Sequence, residues 1–239
     1  MIRKIFDGEG RELDLFLEIS KYAGYLRKSS IARHLAIYDL YKQTMHLPGS
    51  VAEFGVYNGS TFLFLARLIE IFNASQHETA GSSSRHLYGF ESFAGFSELS
   101  PEDLPQSPAP STKRVGGLQG DRKAFFEQFD FLRQSSAIAD RFHIVEGDVC
   151  KTLPEFAKNH SGVRLSLVLL DVDLYEPSKV ILDHIYDIVV PGGIIVFDEY
   201  GIPEWPGETQ AVDEFLAKHP MSLQAIPWSY SPGAYCIKS

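Results

Sequence analysis

The chain is poor in cysteine: Cys150 and Cys236 are the only two in 239 residues. Two thiols cannot build a disulfide framework, and no C-x-x-C pair stands in zinc-ligand spacing. A reduced, cytoplasmic setting is the expectation. Long apolar runs are also missing. No stretch of about 18 apolar residues offers a membrane span. The opening residues, MIRKIFDGEGRELD, lack the apolar core of a signal peptide. Positive charge is scarce as well: 22 Lys and Arg stand against 31 Asp and Glu, a formal net charge of −9. A nucleic-acid binder needs a basic face to neutralise phosphates, and docking on an anionic membrane makes the same demand. Neither partner is expected.

What the chain does contain is core-forming material. Hydrophobic residues make up 44% and aromatics 13%, enough for a large core in one α/β domain. Residues 1–28 are mixed and charged and read as an N-terminal arm, with Leu13, Phe16, Leu17 and Ile19 as docking residues or a short helix. The arm leaves a homo-oligomer open, since it can pack on its own chain or on a second copy. Residues 29–239 read as the domain proper. Ser29-Ser30 open an amphipathic helix with Ile31, Leu35, Tyr38, Leu40 and Tyr41 near helical spacing. Strands are expected at 51–56, 86–90, 141–145, 165–170 and 194–197, and helices at 61–72, 121–134, 175–188 and 208–218. Two short strands, 223–226 and 234–237, close the sheet as a hairpin. Asn73 to Arg85 is polar and reads as a surface loop. Residues 94–120 are rich in Pro, Ser and Gly and read as a lid or a tolerated insertion.

Alternating strands and helices predict a Rossmann-like α/β fold, a mostly parallel sheet with helices on both faces. Ligands of such sheets sit beyond the carboxyl ends of the strands. The first of those ends is distinctive. In VAEFGVYNGST, Val51 to Thr61, an apolar strand runs through glycines into a helix. Glycine permits close backbone approach, and a helix N-terminus offers free N–H groups. The stretch reads as a nucleotide or nucleoside cofactor site, with an ordinary strand-to-helix turn as the alternative. The spacing is G-x-x-x-G rather than the G-x-G-x-x-G of nicotinamide enzymes, which disfavours that cofactor.

Four predicted strands end in carboxylates: Glu91, Asp148, Asp171 with Asp173, and Asp198 with Glu199. Glu91, just past the second strand, is placed to accept ribose hydroxyls. Asp173 stands in capping-box spacing to Glu176, so it is either a helix cap or a site residue. Asp171 and Asp198 end strands expected to lie about 5 Å apart. Carboxylates so close repel unless a cation joins them, and hard oxygen ligands suit Mg²⁺ or Ca²⁺. Tyr175, Tyr200 and Trp205 are either core or a surface for a ring. His46, His143 and His184 are structural residues or spare bases.

Together, VAEFGVYNGST, YGFESFAGF, GDVCKTLPEF, LLDVDLYEPS and PGGIIVFDEYG resemble class I S-adenosylmethionine-dependent methyltransferases, and within them the macrocin O-methyltransferase family, over roughly residues 30–216. The resemblance implies S-adenosylmethionine as cofactor, held by Glu53, Gly55, Tyr57, Asn58, Gly59, Ser60, Thr61, Glu91, Ser92 and Asp148. Asp171 is counted both with that set and as catalytic base. It also implies a Mg²⁺ ion on Asp171, Asp198 and Glu199, where Glu199 departs from the family's usual Asp-Asp pair. The partner implied is a small-molecule acceptor with a hydroxyl, a sugar of a natural product or a nucleotide sugar. The alternatives are a catechol-like phenol acceptor and a non-catalytic cofactor-binding protein.

Overall fold

In a computed structural model of the chain, the residues described are 5–6, 9–13, 21–73, 85–104, 110 and 112–239. Six strands form one sheet: β1 (Ser50–Phe54), β2 (Leu87–Glu91), β3 (Phe142–Glu146), β4 (Leu165–Leu170), β5 (Val189–Phe197) and β6 (Ala234–Ile237). Their spatial order is β3-β2-β1-β4-β5-β6. The first five are parallel, and β6 pairs antiparallel with β5. Besides a single turn at Tyr22–Tyr25, the α-helices among the described residues are α1 (Lys28–Thr44), α2 (Ser60–Asn73), α3 (Arg122–Ser135), α4 (Val149–Asn159), α5 (Tyr175–Ile185) and α6 (Pro206–Lys218).

The period-two geometry of strands sorts the core into two layers. Val51, Leu167, Leu169, Ile194 and Val196 face α1, α2 and α3. Their neighbours Ala52, Val168, Leu170, Ile195 and Phe197 face α4, α5 and α6. Because both faces are covered, β1 and β4 are buried at every position, as their unbroken apolar runs require. Each fully buried Leu or Ile contributes about 1.5–3 kcal/mol relative to exposure.

Several expectations shift. Leu35 was grouped with the inner face of α1, but it is 51% exposed, and Ala36, Ile37, Leu40, Tyr41 and Thr44 are the buried residues. No helix is expected from the sequence between β3 and β4, yet α4 forms there with Pro154 inside it. Pro191-Gly192-Gly193 does not precede the fifth strand but lies within it, with Gly192 at φ +81°. The final hairpin reduces to β6 plus a single bridge, Gln224 to Tyr235. Of the arm, Ile5–Phe6 and Glu12–Leu13 form a two-stranded antiparallel ladder. Phe16, Leu17, Ile19 and most of the expected surface loop lie outside the described residues, as do 105–109 and 111 of the 94–120 segment.

Strand order reverses between β1 and β4, each of which leaves the sheet toward a helix on the opposite face. The crevice of a doubly wound sheet opens at that switch point. Here Gly55, just past β1, and Asp171, just past β4, mark that switch point.

Candidate active site

Beyond β1 the chain takes two left-handed steps, Gly55 at φ +92° and Gly59 at φ +86°, with Tyr57 at φ 52° between them. The glycines make room for protein rather than for an open approach. A Cβ on Gly55 would lie 1.7 Å from the Asp171 carbonyl oxygen, and one on Gly59 would lie 2.6 Å from the Phe125 ring. The turn is therefore clamped to β4 on one side and to α3 on the other. Asn58 strengthens the second clamp: its Oδ1 accepts from Asp121 N at 2.8 Å. Asp121 in turn caps α3 by accepting from Ala124 N.

Glu91, at the tip of β2, grips the same turn. Its Oε2 accepts from Tyr57 N and its Oε1 from Phe93 N, both at 2.6 Å. Two backbone donors fix the carboxylate at the rim of the crevice. Ser92 closes a local turn by accepting from Ala94 N. Asp148 caps α4 by accepting from Cys150 N at 3.0 Å and sits 3.2 Å from Lys151 Nζ. Ser60 Oγ lies 3.3 Å from His34 Nε2, and Thr61 Oγ1 accepts from Arg33 Nε. Beneath the turn, Glu53 is 1% exposed, and its Oε2 has no hydrogen-bond partner. Burial, with Asp171 nearby, holds its carboxyl well above the usual range, although Arg33 opposes the shift.

The structure gathers Asp171, Asp198 and Glu199: one carboxylate oxygen from each lies within 4.8 Å of the others. Burial and the neighbouring Asp198 raise the pKa of Asp171 and of Glu199 well above the usual range. Asp173 is pushed up to about 7 by burial and Asp198. It does not cap α5. Its backbone is left-handed at φ 63°, and the first N–H of α5, on Tyr175, is taken instead by Asp103 Oδ1 at 2.8 Å. Asp103 comes from the described part of the 94–120 segment, which contacts the residues after β4 and β5 through Asp103 and Lys113. Lys113 of that segment donates to the Glu204 carbonyl at 2.8 Å and stands 4.6 Å above the Trp205 ring.

Three residues of this region escaped the sequence reading. Arg33, on α1, reaches across to the acidic cluster. Its Nη2 donates to Asp171 Oδ2 at 2.6 Å, and its Nη1 donates to Asp198 Oδ1 and to Ser231 Oγ. Burial alone would weaken this cation, but Asp171 and Asp198 outweigh it and raise its pKa. Ser231, from the loop before β6, donates to Asp198 Oδ1 at 2.8 Å. Glu208, fully buried in the first turn of α6, accepts from Glu199 N at 2.9 Å and fixes the loop that carries Glu199. The Arg33-His34 pair of the amphipathic α1 reads like any solvated helix face, so no local signal pointed to the first of these.

The ring-bearing candidates are occupied. Tyr175 and Tyr200 donate their hydroxyls to Glu214 and Asp213, and Trp205 packs on Phe96 and Lys113. His143 pairs with His86 at 2.8 Å, and His184 bonds the Val180 carbonyl.

A doubly wound sheet with a clamped glycine turn after β1 and carboxylates at four strand tips has the class I O-methyltransferase fold. Over residues 34–228 the sequence matches the family model described as Macrocin-O-methyltransferase (TylF), and the chain belongs to that family. It is 24% identical over 181 residues to Mycinamicin III 3''-O-methyltransferase of Micromonospora griseorubida, covering 75% of this chain and 65% of the relative. Identity is also 24%, over 160 residues, to the 8-demethyl-8-(2,3-dimethoxy-alpha-L-rhamnosyl)-tetracenomycin-C 4'-O-methyltransferase of Streptomyces olivaceus, covering 65% of this chain and 54% of the relative. The chain thus spans just under two thirds and just over half of the length of these two relatives. Among solved structures, the calicheamicin methyltransferase CalS11 superposes with a TM-score of 0.83 at 27% identity, covering 94% of this chain and 86% of that one. The O-methyltransferase NovP shares the fold, with a TM-score of 0.64 at 21% identity over 87% of this chain and 80% of its own.

Proposed function

We propose that this chain is an S-adenosylmethionine-dependent O-methyltransferase that acts on a sugar hydroxyl of a natural product or nucleotide sugar. Asp171 is its base, and Asp171, Asp198 and Glu199 hold a divalent cation, Mg²⁺ by preference. The observation that carries this reading is the convergence of those three carboxylates at the switch point, next to the clamped glycine turn of a chain in this family. Two relatives support the acceptor class. One is named as a 3''-O-methyltransferase of mycinamicin III. CalS11 is described as a TDP-rhamnose 3'-O-methyltransferase of calicheamicin biosynthesis.

The residues fit both small partners. For the cofactor, Glu91 offers a carboxylate already oriented by two backbone N–H groups, and Glu53 offers a buried oxygen without a partner. Ser60 and Thr61 present the first N–H groups of α2. For the cation, Glu199 Oε2 is buried and unpartnered. A hard ion would supply charge neutralisation and acidify a bound hydroxyl. The activated methyl group comes with the sulfonium cofactor.

The protein's own part is alignment and proton removal. The backbone contact of Gly55 on Asp171 fixes the cofactor turn relative to the base, and such positioning carries much of the rate. Desolvation and Asp198 keep the Asp171 carboxyl proton-hungry, which suits it to take the hydroxyl proton at Oδ. The described parts of the 94–120 segment, held by Asp103 and Lys113, stand beside the acidic cluster and would limit water there.

The test is turnover of TDP-rhamnose and glycosylated macrolides, with S-adenosylmethionine binding measured by calorimetry. Asp171→Asn is expected to abolish turnover and leave cofactor affinity nearly intact. Glu91→Ala is expected to weaken the cofactor by roughly tenfold, the loss of one charge-assisted hydrogen bond. Near-normal turnover by Asp171→Asn would sink the mechanism. Activity on dihydroxy-aromatics alone would move the acceptor to phenols.

A further inference from the structure

An arginine stands between the two aspartates that the proposed cation needs. The Arg33 side chain is 20% accessible, and it touches Asp171, whose side chain is 26% accessible, and Asp198, at 10%. Each arm of the guanidinium has a job. Nη2 is on Asp171 Oδ2, Nη1 is on Asp198 Oδ1 and Ser231 Oγ, and Nε is on Thr61 Oγ1. Ser231 Oγ adds a further hydrogen bond to Asp198 Oδ1. A guanidinium cannot give up its proton in a protein. It therefore cannot become a ligand, nor can it share a carboxylate lone pair with an ion bound at about 2.1 Å. The third carboxylate, Glu199, lies outside this grip, with its Oε2 buried and unpartnered.

Charge favours an exchange of cations. Asp171, Asp173, Asp198, Glu199, Glu208 and Glu53 act on one another electrostatically. One guanidinium contributes a single positive charge to them, and a divalent ion contributes two. We infer that Arg33 is the resident cation of this cluster, and that a divalent metal enters by displacing its guanidinium from between Asp171 and Asp198. This rests on reading Asp171, Asp198 and Glu199 as metal ligands.

Displacement has consequences on both sides. It frees Asp171 Oδ2, an oxygen that otherwise holds a cation and is the poorer base for it. It also breaks the link from α1 to Thr61 in the first turn of α2, so entry of the metal is sensed at the cofactor turn. Arg33 is thus a positioning residue that sets the affinity of the site and keeps the acidic cluster folded without metal.

The experiment is calorimetric titration of Mg²⁺ and of Ca²⁺ into the metal-stripped full chain, as wild type, Arg33→Gln and Arg33→Lys. Removing a competing cation tightens metal binding, so Arg33→Gln is expected to bind roughly tenfold or more tightly than wild type. Arg33→Lys retains a charge and falls between them. In chelator, Arg33→Gln melts below wild type, and added metal narrows the gap. Equal or weaker binding by Arg33→Gln overturns displacement and leaves the metal reading standing. No binding by either protein overturns both. If Arg33→Gln does not fold, the ¹⁵N-labelled wild type gives the answer. The Arg33 Nε–H resonance, assigned from its absence in Arg33→Lys, moves on metal addition if the guanidinium is displaced. An unmoved resonance while metal binds overturns the inference.

Discussion

Asp103 is a small residue with a large structural duty, and its removal is a quantitative test of how the 94–120 segment is held. The residue is 1% exposed. Its Oδ1 accepts from Tyr175 N at 2.8 Å, and its Oδ2 accepts from Ser100 N at 2.8 Å and Ser100 Oγ at 2.7 Å. The packing is tight, since a Cβ on Gly207 would lie 2.0 Å from Oδ1. Asp103→Ala leaves the first N–H of α5 without a partner and opens the capping box of the short 3₁₀ turn at Pro101–Asp103. Losing a helix cap costs about 0.5–2 kcal/mol, and orphaning a buried donor costs about 1–3 kcal/mol. These describe largely the same bond, so the net loss is about 2–3 kcal/mol. For a domain of this size that lowers Tm by about 5–10 °C. Asp103→Asn keeps an acceptor for Tyr175 N but turns an amide toward Ser100 N, so it falls between. The assay pairs thermal melts with limited proteolysis of residues 94–120. A Tm within about 1 °C of wild type, with unchanged cleavage there, would refute the assignment of Asp103 as the pin.

Two further outcomes follow from the same geometry. Gly55→Ala places a methyl group on the Asp171 carbonyl at a left-handed backbone, and should cost roughly 3 kcal/mol or more in urea unfolding. Gly201→Ala, at φ +79° with open space around it, bears the backbone cost alone and should lose about 1 kcal/mol; equal losses would discredit the Asp171 clash. Burial lowers the pKa of His86 and His143, which share one hydrogen bond in a stack with Tyr88. The unfolded chain then binds more protons below about pH 6.5, so stability is full above that value and falls as the pH drops. Urea midpoints from pH 7 to pH 5 should decline for wild type and decline less for His143→Phe; parallel slopes would show that the pair is not responsible.

The sheet was legible because its strands are apolar without interruption. LSLVLL at 165–170 appears as β4 residue for residue. The strand tips were legible because a doubly wound fold brings Glu91, Asp148, Asp171 and Asp198 to one edge whatever their neighbours do. Roles at that edge were less legible. Asp148 caps a helix that Pro154 disguised, and of the two readings left open for Asp173 the cap falls instead to Asp103, some seventy residues away in sequence. Arg33 was invisible for the same reason. Its partners lie on β4 and β5, and no local pattern encodes a contact that spans more than half the chain. The glycines of the first turn were read as space for a ligand, whereas the space is filled by Asp171 and Phe125. A missing Cβ in a sequence marks a close approach without naming what approaches.

The contact of Gly55 on the Asp171 carbonyl divides the molecule into a part that sets a distance and parts that choose a partner. In the proposed reaction, the cofactor turn and the residue that carries the base are gauged by main chain against main chain, and only the Asp171 side chain itself extends beyond that contact. On the proposed function, substitutions that retune acceptor choice fall elsewhere, in the loops that carry Ser231, Asp103, Lys113 and Trp205. A library confined to those loops would sample new acceptors on an unchanged gauge.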